Sequence, residues 1–172
     1  GPRLLAGMSE ESSAHAEQFL REMGVNILLN KRVVDYRDHK VVLEDGTEIA
    51  TRTFIWVSGV TGVTIGNLDA SLIGRGGRIK VDSFNRVEGM NNVFAIGDQC
   101  IQVADEDYPN GHPQLAQVAI QQGELLAKNL VRMEKGREMK PFHYRNLGSM
   151  ATVGRNRAVA EFSKVKMQGW FA

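Results

Sequence analysis

Apolar and polar positions repeat with a helical period in two stretches of the chain. The first covers residues 8–23, where Ser9 suits the N-cap position and Gly24 is a natural helix stop. The second and longer stretch covers residues 113–132, and Pro113 fits its first turn because a missing N–H costs nothing there. The pattern therefore predicts two helices, one near the start of the chain and one in its second half.

Short apolar runs predict strands around these helices. Residues 25–29, VNILL, form a continuous run bounded by turn formers, which is typical of a strand buried on both faces. With the helix and glycine before it, this run resembles the later part of a βαβ unit. A second apolar run, residues 54–57, ends at Ser58. The remaining predicted strands are residues 33–36, 40–43 and 48–50, which form a β-meander, then residues 79–81 and 93–96, with more short strands after residue 140.

Composition and charge narrow the class of protein. The 172 residues are 42% hydrophobic and 24% charged, which is the make-up of a soluble globular protein able to bury a core. The net charge of +1 gives no electrostatic reason to expect nucleic acid as a partner. The single cysteine, Cys100, excludes a disulfide or a dithiol redox pair within this chain, and a small buried thiol is the expected role. The four histidines lie far apart, without metal-ligand spacing, so no metal site is predicted.

The stretch VFAIGDQC places an ionisable group at the end of a predicted strand. In open α/β sheets, ligands lie beyond the carboxyl ends of the strands. Gly97 would let the backbone approach a ligand closely, and the Asp98 carboxylate would accept a hydrogen bond from a ligand hydroxyl. The alternative is that Asp98 only caps a turn, and the octapeptide alone leaves the two interpretations even. The predicted helix start nearby would offer the backbone donors of Gln114, Leu115 and Ala116 to negative charge on a ligand, such as a reduced flavin ring.

The second helix carries two contrasting faces. Gln117 and Gln121 belong to a polar stripe, which in isolation is more often a solvated helix face than a binding site. On the other side, small residues predict close packing against another element. These residues are Ala116, Ile120, Gly123 and Ala127.

Long stretches of the sequence carry a family resemblance. RGGRIKVDSFNRVEGMNNVFAIGDQC, followed by HPQLAQVAIQQGELLAKNL, resembles the flavoproteins with two dinucleotide-binding domains, and within them type II NADH dehydrogenase. PRLLAGMSEESSAHA and GSMATVGRNRAVAEF also match that family of single-subunit NADH:quinone oxidoreductases. The resemblance implies that Gly97 and Asp98 hold the FAD ribitol. It also implies quinone-site roles for Gln117 and Gln121. IWVSGV resembles the family's exit from the NADH domain, which would place Gly59 near the flavin.

The same resemblance implies that the chain is a fragment. Dinucleotide domains need a G-x-G-x-x-G turn after a strand to admit the pyrophosphate, and this chain has none in that position. We therefore expect partial Rossmann-like halves: residues 2–59 as the second half of the NADH domain and residues 60–144 as the C-terminal part of the FAD domain. Residues 145–172 would begin a membrane-proximal region. FAD and NAD would belong to the full-length protein, and the fragment itself would retain neither and be inactive.

For the full protein, the resemblance implies hydride transfer from NADH to FAD and then reduction of a quinone. It would be peripheral on the cytoplasmic face of the membrane, which it would contact through the region beyond residue 172. No residue of this chain is assigned a covalent catalytic role. Half-domains would leave apolar strands without neighbours, which homo-oligomerisation could relieve. The alternatives are a sulfide:quinone or disulfide reductase, which would need catalytic cysteines, and a non-catalytic interaction module.

Overall fold

The chain forms two compact units in a computed structural model that describes residues 1–63, 65–162 and 165–169. One unit joins Gly1–Val57 with Leu147–Ala172, and the other is Ser58–Asn146. The helices and strands, in chain order, are α1 (Glu10–Glu22), β1 (Val33–Arg37), β2 (Lys40–Leu43), β3 (Glu48–Ala50), β4 (Ile79–Val81), β5 (Cys100–Gln102), α2 (Ala116–Glu134), β6 (Ser149–Thr152), β7 (Ala158–Phe162) and β8 (Val165–Gly169). The predicted α/β class is confirmed. The assignment of residues to NADH and FAD domains stays a prediction.

The first helix, α1, begins where the sequence predicted. Ser9 has an extended backbone, and its hydroxyl accepts a hydrogen bond from the Ser12 N–H at 3.3 Å. The Glu161 carboxylate, on β7, accepts hydrogen bonds from both the Ser9 hydroxyl and the Ser9 N–H, the latter at 2.9 Å. The helix ends at Glu22 with Met23 as its C-cap, and Gly24 follows with a φ of +81°. A residue late in the chain therefore anchors the start of the first helix.

Two antiparallel sheets complete the first unit. The predicted meander is confirmed as β1–β2–β3, with the β1–β2 turn formed by Asp38 and His39 at positive φ. The second sheet has the order β6–β7–β8, and the first three residues of β7 are buried. Arg157 holds α1 against this sheet, because its guanidinium pairs with Glu22 and lies 5.0 Å from the centre of the Phe19 ring.

The second unit is built on the parallel pair of β4 and β5. Helix α2 begins at Ala116, three residues later than predicted, because Leu115 has an extended backbone and occupies the N-cap position. Its buried stripe is Val118, Gln122 and Asn129. The Asn129 amide fixes the following segment, donating to the Lys140 carbonyl at 2.8 Å and accepting from the Lys140 N–H at 2.9 Å.

Several predicted packing surfaces are wrong. Residues 25–29 form no strand, and Val25 and Leu28 are 43% and 55% exposed. Residues 93–96 contribute only an isolated bridge from Phe94 to Arg86. Backbone hydrogen bonds join residues 93–95 to residues 85–87, but they do not extend into a ladder. The small-residue face of α2 is also open, with Ile120 60% exposed.

A buried carboxylate–imidazole pair lies in the core of the second unit. Asp105 Oδ2 is 3.0 Å from His112 Nε2, and the two side chains are only 6% and 4% exposed. Burial opposes ionisation of Asp105, but hydrogen bonds from His112 and from the backbone N–H groups of Tyr144 and Asp107 outweigh it and lower the pKa of the carboxyl. The His112 ring packs edge-on against Phe142, with ring centres 5.2 Å apart. His112 is therefore a residue of the core and not an exposed loop histidine.

We predict that Ser9→Ala lowers the free energy of unfolding of the first unit by about 1–2 kcal/mol, because it removes the cap of α1. Urea denaturation followed by the fluorescence of Trp56, in the same unit, measures the change. The matched control is Ser58→Ala, since Ser58 is an exposed serine outside any helix or strand. Equal midpoints for Ser9→Ala and the native chain would contradict the role of Ser9.

Asp105 should make the second unit sensitive to acid. Its pKa in the folded state lies below the unfolded value of about 3.9, so its contribution is present above about pH 4 and lost as the pH falls through the folded value. Asp105→Asn should therefore be less stable than the native chain by roughly 1–3 kcal/mol at pH 7, with a smaller gap at pH 3. Denaturation at both pH values tests this, with exposed Asp107→Asn as the control. A gap that does not change with pH would contradict the lowered pKa of Asp105 in the folded state.

Candidate functional site

The predicted GD turn is a short 3₁₀ turn, Gly97–Gln99, held directly against α2. Gly97 has a φ of +66°, and a Cβ built at this position would lie 3.3 Å from the Ala119 Cβ. A side chain at position 97 would thus meet both backbone strain and the helix. The turn can pass this close to α2 because position 97 is glycine.

A buried glutamine on α2 fixes the backbone of this turn. Gln122 is 1% exposed, and its Oε1 accepts the Gly97 N–H at 2.7 Å. Its Nε2 lies 3.5 Å from Cys100 Sγ. The expectation of a small buried thiol is confirmed, and burial raises the pKa of Cys100 despite the hydrogen bond from Gln122. Sequence reasoning missed Gln122; the available signal was a lone amide on the helix face that also carries Val118 and Leu125.

Asp98 lies beside the N-terminal end of α2. The residue is exposed, and its carbonyl oxygen accepts a hydrogen bond from Gln114 Nε2 at 3.2 Å. Helix α2 has no side-chain cap at Leu115 and no acidic residue in its first turn. Its N-terminal end therefore keeps its partial positive charge next to the exposed residue 98.

The backbone donors at this helix end differ from those the sequence predicted. Leu115 does not offer its N–H, which donates to the Pro113 carbonyl at 3.0 Å. Gln114 precedes the helix and approaches residue 98 through its side chain. Ala116 is the first helical residue and is exposed. The prediction of a helix turn starting at Pro113 is wrong, because Leu115 has an extended backbone and the helix starts only at Ala116.

A backbone segment from the start of the second unit lies against the same turn. Val63 donates its N–H to Gln99 Oε1 at 2.9 Å and accepts from Gln99 Nε2 at 2.6 Å. Gly59, four residues earlier, is exposed and has a φ of +113°. The paired contact at Gln99 thus brings the segment that carries Gly59 towards the Asp98 turn.

The two glutamines predicted for quinone have different environments. The Gln121 amide is paired with the backbone of Arg145, donating to its carbonyl at 2.9 Å and accepting its N–H at 3.0 Å. Gln121 also lines a groove of about 310 Å³, together with Leu125 and Phe142. Gln117 is partly exposed in the first turn of α2. Both residues belong to α2, the helix that follows the Asp98 turn. Their quinone-site roles stay a prediction.

The described residues contain neither a cluster of metal ligands nor a membrane-spanning helix. Within residues 1–63, 65–162 and 165–169, no group of three His, Cys, Asp or Glu side chains is placed to hold a metal ion. In that same part of the chain, no helix has the length and apolar content needed to cross a bilayer. Of the basic and aromatic residues near the end of the chain, Lys164, Trp170 and Phe171 lie outside the described residues.

Curated relatives cover this chain almost completely. The type II NADH:quinone oxidoreductase NdhA of Mycobacterium tuberculosis is 34% identical over 99% of this chain and 38% of its own length. The mitochondrial internal alternative NAD(P)H-ubiquinone oxidoreductase A1 of Arabidopsis thaliana is 33% identical over 95% of this chain and 34% of its own length. The chain thus spans between a third and two fifths of these relatives. The predicted resemblance to type II NADH dehydrogenase is confirmed.

A solved structure shares the fold. NDH2 from Plasmodium falciparum, in complex with NADH, superimposes with a TM-score of 0.84 at 18% identity, over 98% of this chain and 50% of that one. The family profile described as pyridine nucleotide-disulphide oxidoreductase matches residues 1–123, which include α1, the meander, the Asp98 turn and the start of α2. This chain therefore belongs to the pyridine nucleotide-disulphide oxidoreductase family.

Proposed function

We propose that this chain supplies the flavin-facing turn and the quinone-facing helix of an NADH:quinone oxidoreductase. The observation that carries the proposal is the contact between the Asp98 turn and the uncapped N-terminal end of α2, made by Gln114. An acceptor for hydroxyl groups and a partial positive charge lie side by side there. The names of the relatives support the same activity.

The residues present suit one part of FAD and not another. Asp98 would accept from a ribitol hydroxyl, and the α2 end, which begins at Ala116 and has the Gln114 amide beside it, would stabilise negative charge on the pyrimidine side of the ring. Gly97 and Gly59 would leave room for the ligand, since neither carries a Cβ. The pyrophosphate has no glycine-rich turn after a strand in this sequence. We infer that FAD and NAD bind only the longer protein, and that this chain alone retains neither.

When bound, FAD would accept a hydride from NADH and pass electrons on to the quinone. The chain's own residues would orient the flavin and the quinone and polarise their polar groups. Gln122 holds the Gly97 backbone, and that contact fixes where Asp98 points. Leu125 lines the Gln121 groove and would contact a quinone ring, with the Gln121 amide beside one carbonyl group. Gln117, one turn earlier on α2, would supply the second amide. No residue here is assigned a covalent step.

The wider setting is part of the same proposal. The longer protein would be peripheral on the cytoplasmic face of a membrane, contacting it beyond residue 172. Homo-oligomerisation would cover apolar segments such as residues 55–57, where Val57 is 84% exposed. The disulfide-reductase alternative is not favoured by any contact here, because Cys100 is buried and its thiol pKa is raised.

In the protein expressed from the complete reading frame, Asp98→Ala should weaken FAD binding roughly tenfold or more, since a hydrogen bond to a charged group is worth about 1.5–3 kcal/mol. Titration of apoprotein with FAD, followed by quenching of flavin fluorescence, measures the affinity. Glu106→Ala removes another exposed carboxylate of the same unit and should leave the affinity unchanged. Native affinity in Asp98→Ala would rule out its role.

Gln121→Ala should raise the quinone KM about two- to tenfold, the value of one neutral hydrogen bond, and leave the NADH KM unchanged. Steady-state kinetics with a soluble quinone tests this. Reduction of ferricyanide, which needs no quinone groove, reports whether the loss of the Arg145 contact has damaged the protein more widely. Gln18→Ala, an exposed glutamine in the other unit, is the matched control. An unchanged quinone KM would show that Gln121 serves only to hold Arg145.

A further inference from the structure

The segment that leads into α2 is held by the buried pair of Asp105 and His112. Asp105 Oδ2 lies 3.0 Å from His112 Nε2 and also accepts the Tyr144 N–H at 3.3 Å. The His112 ring is enclosed by aromatic rings, with centres 5.1 Å away for Tyr108 and 5.2 Å for Phe142. Both polar side chains are more than nine-tenths buried. Neither belongs to the turn or the groove described above.

The backbone on either side of His112 is held as firmly as the side chain. Arg78, itself buried, donates from Nη1 to the His112 carbonyl at 3.0 Å. Gly111 has a φ of +86°, and a Cβ there would lie 2.7 Å from Ile101 Cγ1. Glycine at position 111 therefore lets the chain pass close to Ile101 on its way to His112. Three separate segments, around residues 78, 105 and 144, converge on it.

The position of His112 determines where α2 starts, because the link between them is short. Only Pro113, Gln114 and Leu115 separate His112 from the first helical residue, and Pro113 restricts the backbone further. Gln114 in the same short link reaches the Asp98 carbonyl. The first hydrogen bonds of the helix run from Val118 and Ala119 to the Leu115 carbonyl, at 3.0 and 3.2 Å. A shift at His112 would be passed to this helix end with little chain in between to absorb it.

A buried polar pair is a poor means of adding stability, because desolvation of a carboxylate offsets most of the attraction. Apolar side chains of similar volume would fill the same space, and the ring cluster around His112 already supplies apolar packing. What a hydrogen-bonded pair adds is direction, since its geometry tolerates little displacement. The arrangement is therefore better suited to orientation than to bulk stabilisation.

We propose that Asp105 and His112 are positioning residues, which hold the N-terminal end of α2 against the Asp98 turn in the orientation that the flavin requires. The inference rests on the proposed function for its flavin half. Its structural half, the order of the α2 end, concerns this chain alone. Neither residue touches the flavin in this proposal; both act through the link from residue 113 to residue 115.

The experiment uses three variants and one matched control. His112→Phe keeps a ring and removes the donor, Asp105→Leu keeps the volume and removes the acceptor, and His112→Gln keeps an Nε2 donor at similar reach. His143→Phe is the control, because His143 is an exposed histidine of the same unit. Amide hydrogen exchange of Val118 and Ala119 is measured in the 172-residue chain. The visible spectrum and midpoint potential of the flavin are measured in the protein expressed from the complete reading frame.

We expect His112→Phe and Asp105→Leu to speed exchange at Val118 and Ala119 at least tenfold and to shift the flavin spectrum and potential. His112→Gln should restore both readouts towards native values, and His143→Phe should change neither. Exchange in His112→Phe no faster than in His143→Phe would overturn the proposal. Faster exchange with a native flavin spectrum and potential would overturn its flavin half. If Asp105→Leu fails to fold, the comparison of His112→Phe with His112→Gln decides.

A native full-length protein that binds no flavin would refute the proposed function instead. The exchange measurements would still decide whether the pair orders the helix end. The two failures are therefore distinguishable.

Discussion

The close approach of α2 to the turn at Gly97 is the contact on which the candidate site depends. The helix side of that contact is Ala119, and the turn side has no Cβ, so two backbones meet where a larger side chain would hold them apart. The approach shields the Gly97 N–H partly from water, and an unsatisfied buried donor costs about 1–3 kcal/mol. Gln122 supplies that acceptor from the helix itself. Helix α2, the Gly97 turn and Gln122 therefore depend on one another for their positions. Asp98 lies at the exposed edge of this arrangement.

A second fixed point lies at the other end of the link into α2. The Gly97–Gln122 contact sets how close the helix lies to the turn, whereas the Asp105–His112 pair sets where the helix begins. Arg145, paired with Gln121, attaches the following segment to the same helix. A cofactor site between a turn and a helix end needs both the distance between them and the position of the helix start to be fixed. A displacement of about 1 Å in a positioning element can cost a hundredfold in rate. In cofactor-dependent enzymes the cofactor supplies the chemistry, and the protein contributes by holding it in a defined orientation.

Local chemistry was readable from the sequence, and long-range partners were not. The Ser9 cap and the alternation of the meander each act within a few residues, so helix α1 and β1–β3 were predicted almost to their ends. Residues 25–29 read as a buried strand because apolar runs carry no record of whether a neighbouring strand exists. The adjacency of Asp98 and α2 could be expected from general α/β topology. The roles of Gln122 and His112 could not be expected, because each depends on a partner that only the fold brings close. Gln122 pairs with Gly97, 25 positions earlier, and His112 pairs with Asp105, 7 positions earlier.

Glu161 completes the cap of α1 from 152 residues further along the chain. A ribosome adds about 5–20 residues per second, so Ser9 would be synthesised roughly 8–30 s before Glu161. Ser58–Asn146, by contrast, is continuous and contains every residue of its own core. During translation, Ser58–Asn146 can reach its native packing before β7 is made, whereas α1 gains its Glu161 contact only afterwards.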